Sequence, residues 1–152
     1  MATHIDAILD ALEAMTVTGH AYPVYRGSTL KNVIDIANAP CRILSAIDGI
    51  SSGSQTRRTG GGAVMVTLQW TIQDIALIRS ASLGIGLRDV APSMESYINA
   101  YHTAVWGIYP EQLQWGVTGV SARSQVLEWP AASGNFFDAV VATVTVADII
   151  TT

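Results

Sequence analysis

Apolar residues recur along this chain at two different periods, and the change from one to the other divides it into elements. Ile5, Ile8, Leu9, Leu12 and Met15 make one stripe of an amphipathic helix. Thr3 with Asp6 three residues on predicts the N-cap, and the acids of the first turns suit the positive end of the helix dipole. Gly19 and Pro23 break the pattern and leave a connection over 18–22.

The period then becomes two. Short strands are expected over 29–36 and 41–47, parted by Asn38-Ala39-Pro40. The clearest strand begins at Val64. Val64, Val66, Leu68, Trp70 and Ile72 fall on one face, and Thr67, Gln69, Thr71 and Gln73 on the other. The alternation slips at Ile75 and Leu77, for which a bulge near Gln73-Asp74 accounts. After a loop over 83–87 the helical period returns at Met94, Tyr97, Ile98, Tyr101 and Val105. Pro92 stands at the first helical position there, and Gly107 and Pro110 close the helix. Strand patterns over 114–127 and 136–149, joined by 128–135, read as a hairpin. The order is helix, two or three strands, helix, two strands. It implies a single α+β domain over 1–152: a mostly antiparallel sheet in a two-layer sandwich, with two main helices packed on one face.

Between two of these strands lies 48–62, DGISSGSQTRRTGGG, too polar and glycine-rich to enter a core. Loops of this length inside a compact domain are uncommon and are usually functional or disordered. Ordering one costs roughly 1–2 kcal/mol per residue in backbone entropy, which a partner surface can offset. The segment is therefore expected to be a long flexible β-hairpin arm. Its Gly49, Ser51, Gln55, Arg57, Arg58, Gly60, Gly61 and Gly62 form a candidate assembly interface.

Composition sharpens that reading. The 152 residues fit one domain with a genuine core. Charged residues make up 13% against 49% hydrophobic, about half the usual charged share. With four tryptophans, this points to nominal surface that is buried against other subunits. No apolar run approaches the roughly 20 residues a bilayer demands. The start, MATHIDAILDALEAM, lacks a basic n-region and carries three acids, so it is not read as a signal peptide. A net charge of −4, with one lysine and seven scattered arginines, argues against a dedicated nucleic-acid binder. Cys41 stands alone, which excludes an internal disulfide and suits a reducing compartment.

Catalytic and cofactor templates find no match. Gly84-x-Gly86 has Asp89 where a dinucleotide loop needs its third glycine, and no P-loop lysine exists. Gly60-Gly61-Gly62 has no helix behind it and reads as a hinge. His4, His20 and His102 lie far apart with a single cysteine, which is not zinc-site spacing, so neither metal nor cofactor is expected. Cys41 is read as a small buried hydrophobe. Asp35, Asp48, Asp74 and Asp89 fall at strand ends or loops, where caps and turns use such residues. Tyr97, Tyr101 and Trp106 are read as helix packing.

The order of elements, with its acidic first helix, mobile loop, long alternating strand, Tyr97-x-x-x-Tyr101 rhythm and closing hairpin, resembles the tail terminator (tail-completion) proteins of long-tailed bacteriophages. The likeness spans nearly the whole chain. The segment Trp70–Arg79 with Gly84-Ile85-Gly86 also looks like small phage neck proteins. The resemblance implies a virion protein with no active site: a homohexameric ring that caps the tail tube and meets the head connector. Its partners would be its own copies, the tail-tube protein and the head-closure or connector proteins, with DNA passing through the lumen unbound and no membrane. A head-closure or adaptor protein is the nearest alternative and a tail-tube subunit the next. A small ligand-binding or hydrolytic enzyme is the reading from a different class.

Overall fold

A computed structural model of the chain describes residues 3–26, 39–52, 57–58, 64–81, 87–108 and 114–151. The long alternating run is the spine of the fold. It forms β4 (Val64–Ser80), which pairs antiparallel along its length with β6 (Phe136–Thr151). On its other side β4 pairs antiparallel with β2 (Cys41–Ser52), and β5 (Trp115–Glu128) completes the hairpin with β6. A short β1 (Val24–Arg26) joins β2 in parallel, so the sheet runs β1-β2-β4-β6-β5. A two-residue β3 (Arg57–Arg58) pairs with the start of β4. This is the expected α+β class, mostly antiparallel, with α1 (Ile5–Ala14) and α2 (Leu87–Trp106) on one face.

The core lies between those helices and the sheet. Ile8 and Leu12 of α1 and Val90, Met94, Tyr97, Tyr101 and Val105 of α2 meet Trp70, Ile72 and Ala76 of β4 and Val140, Ala142, Val144 and Val146 of β6. No helix among the described residues is long and apolar enough to cross a membrane.

Several details correct the sequence reading. Strand β4 carries no bulge at Gln73-Asp74, for its register with β6 is unbroken from Met65 to Leu77. Ile75 and Leu77 are apolar because the opposite face of the sheet buries a second cluster there, with Cys41, Ile43, Phe137 and Ala139. The irregularity belongs to β2, which places two residues between Leu44 and Ile47 where β4 has only Gln73. The α1 N-cap is His4 and not Thr3, and no side chain of its own caps it. Helix α2 begins at Leu87, which puts Pro92 inside it. Val90 continues the buried stripe of Met94 and Tyr97, so core packing holds the helix together across the proline. The strand β1 was hidden in sequence because it has only three residues. The strand expected over 29–36 and the loop over 83–86 lie outside the described residues.

The hairpin between β5 and β6 is closed as its sequence requires. Trp129 N–H donates to the Asn135 carbonyl at 2.9 Å, and Gly134 N–H donates to Glu128 Oε1 at 3.1 Å. Gly134 turns at φ +79°, where glycine bears no Cβ penalty.

Candidate functional site

The arm is partly strand. Strand β2 continues through Gly49 and Ser51 to Ser52, opposite Thr71, Gln69 and Leu68 of β4. Arg57 and Arg58 follow on the same side of β4, opposite Met65 and Val64. Residues 53–56, between these two paired stretches, lie outside the described residues. Gln55, Gly60, Gly61 and Gly62 lie outside the described residues. The arm is thus anchored at both described stretches. Of the hairpin arm expected over 48–62, residues 49–52 and Arg57–Arg58 are strand, because β4 is seventeen residues long and supplies their hydrogen-bonding partners.

That extension is thinly covered. Val64, Met65 and Val66 are all half-buried, whereas β4 from Asp74 to Leu77 is fully buried. Ile149, near the same end of β6, is exposed. At the other end of the hairpin Val126 is 58% exposed and Phe136 47%, and Trp106 at the end of α2 is 49% exposed. Among the described residues β5 pairs only with β6, which leaves its outer edge open over fourteen residues. An open edge of that length is a template for pairing with another chain.

Beneath the helices lies a polar network that sequence reasoning missed. Asp74 is 1% exposed and sits mid-strand on the helix-facing side of β4, not at a strand end. Arg42 of β2 donates from Nε to Asp74 Oδ1 at 3.2 Å and from Nη2 to Oδ2, and Tyr101 Oη donates to Oδ2 at 2.8 Å. Arg42 Nη2 also donates to the Leu12 carbonyl at 3.0 Å, which gives the end of α1 a cation where the helix dipole favours one. Burial opposes the Arg42 charge, but Asp74 outweighs it and the guanidinium pKa is raised. Burial, reinforced by the Asp74 charge, pushes the Tyr97 and Tyr101 hydroxyls above the ordinary phenol range. The available signal was Asp74 itself. It occupies the apolar face with Trp70, Ile72 and Ala76, and a carboxylate there demands a buried partner.

A second buried carboxylate, Asp148 of β6, receives α1. His4 N–H donates to Asp148 Oδ2 at 3.0 Å, the His4 ring meets Oδ1, and Trp70 Nε1 donates to Oδ2 at 3.2 Å. The N-terminus of α1 is thus capped from across the fold, 144 residues away in sequence, a contact that no local motif could announce.

Between the end of α1, the 15–23 connection and β2 opens a cleft of about 440 Å³. Glu13, Met15, Val17, His20, Tyr22 and Arg42 are among its walls. His20 is fixed by Tyr22 Oη at 3.1 Å and Ser96 Oγ at 3.2 Å, and Tyr22 stacks on Tyr97 with centroids 5.6 Å apart. Cys41 is buried, with its thiol pushed up to about 11 by desolvation. Among the described residues no group of three or more His, Cys, Asp or Glu is placed to hold a metal ion. No protein-family model and no curated protein matches the chain.

Proposed function

We propose that this protein is a ring-forming structural subunit of a phage virion, a tail terminator that caps the tail tube and joins it to the head connector. The observation that carries the reading is the sheet extension. Beyond the residues of the core clusters β4 continues with half-buried Val64 and Val66 on its helix-facing side and Met65 on the other, and the arginine pair stands on the neighbouring strand. A neighbouring subunit covers these side chains at little cost, since few charges have to be desolvated. In a ring each copy uses two different surfaces, one given and one received, and closure stops further growth. The projecting arm is the first surface. The open β5 edge with exposed Val126 supplies a second.

The net charge of −4 per subunit, repeated around a ring, repels phosphates and lets DNA pass without sticking. A map of lumen charge tests this part, and a strongly basic lumen would sink it. The terminator role itself is tested by electron microscopy of the purified protein mixed with tail tubes. One ring at a tube end is the expected image. Rings stacked along the tube would make it a tube subunit, and binding to head connectors alone would make it a head-side adaptor.

A further inference from the structure

The cleft beside α1 is built for more than packing, and its use does not depend on the ring reading. Its floor is the Arg42 guanidinium, 2% exposed and locked in position. Asp74 takes Nε and Nη2 and the Leu12 carbonyl takes Nη2, and among the described residues no acceptor meets Nη1. One wall is Tyr22, held in place by its stack on Tyr97 and its bond to His20. Met15, Val17 and Val24 supply apolar walls. A rigid, mostly apolar cleft with a few fixed polar groups is the common form of a small-molecule site, and its volume falls in the usual range.

Charge decides the ligand class. Asp74 balances Arg42 at the floor, and Asp10 and Glu13 hold Arg26 at 2.8 and 3.3 Å near the mouth. An anion would lose its hydration and meet no net positive charge in return, and a cation would find only the one surplus carboxylate of the Asp10–Glu13–Arg26 group, at side chains exposed to solvent where an ion pair is worth little. We propose that the cleft binds a small uncharged molecule with a single planar ring and a carbonyl oxygen, the oxygen accepting from Arg42 Nη1 and the ring lying against Tyr22.

Benzamide is the probe, with benzoate and benzylamine as its charged counterparts, each titrated into the ¹⁵N-labelled protein up to about 10 mM, the range such one-ring ligands need. Benzamide should give saturable amide shifts at Met15, Thr16, Tyr22 and Val24, with each charged analogue at least about fivefold weaker. Met15→Trp plugs the cleft from its rim and should weaken benzamide at least about tenfold with the melting temperature unchanged. Tyr22→Phe, which keeps the ring, should retain binding. No saturable shifts, shifts centred elsewhere, equal binding of benzoate, or undiminished binding by a folded Met15→Trp would each overturn the proposal.

Discussion

One strand, β4, runs through two regions of opposite character. From Trp70 to Ala76 its helix-facing positions are buried, and the one charged side chain there, Asp74, has its oxygens met by Arg42 and Tyr101. From Val64 to Val66 the same strand, with the same ladder to β6, keeps its apolar side chains half-buried and has β3 beside it. The ladder to β6 therefore runs on from the centre to Met65, and cover does not. The centre closes on itself because two helices reach it. Among the described residues no second layer of the core clusters reaches the extension, and a sheet face needs one to bury its apolar side. In our account the centre makes the subunit, and the extension is what the subunit offers to another.

If the centre is self-sufficient, breaking it should cost stability outright. Asp74→Ala leaves the Arg42 charge buried without its partner and should lose about 3–5 kcal/mol in urea unfolding. A loss under about 1 kcal/mol would mean that the network is incidental. Asp148→Ala removes the acceptor for His4 and Trp70 and should cost about 2–3 kcal/mol. Its particular signature is faster hydrogen exchange in the first turn of α1 while α2 keeps its protection. A smaller effect comes from the second cluster, on the other face. The Cys41 thiol is raised from 9.0 to about 11, so below pH 9 both folded and unfolded chains keep the proton and the contribution is whole. Between pH 9 and 11 the unfolded chain releases it first, so stability should fall with rising pH. The Cys41→Ala variant should lose that part of the slope, up to about 1.4 kcal/mol per pH unit. The extension should behave in the opposite way. Arg57→Ala with Arg58→Ala should shift unfolding of the isolated subunit by less than about 0.5 kcal/mol and yet weaken assembly.

The sequence disclosed what period and punctuation encode. The stripe Ile8–Leu12 and the stripe Met94–Tyr97–Tyr101–Val105 are the buried faces of the two helices, and the alternation at Trp70 and Ile72 gave the face of β4. Contacts set by the fold were harder to see. The slip at Ile75 and Leu77 has two local explanations, a bulge or a change of buried face, and only the position of Cys41, Ile43 and Phe137 decides between them. Asp74 looked like a strand-end residue because its partner lies 32 residues away on another strand. Pro92 marks a helix start by local preference, yet Val90 had a place in the core and the helix begins before it. Of the candidate interface, Gly49, Ser51, Arg57 and Arg58 lie in strands of the expected hairpin arm although glycine and serine are poor strand formers, and the pairing comes from the length of β4.

The mass of the purified protein in solution, by light scattering, alone and with tail tubes, tests the claim of assembly most directly. The account predicts a hexamer, or a monomer that becomes a single ring on meeting tubes, and a loss of either behaviour when Arg57 and Arg58 are both alanine. A monomer indifferent to tubes, or a ring unaffected by the double substitution, would contradict it.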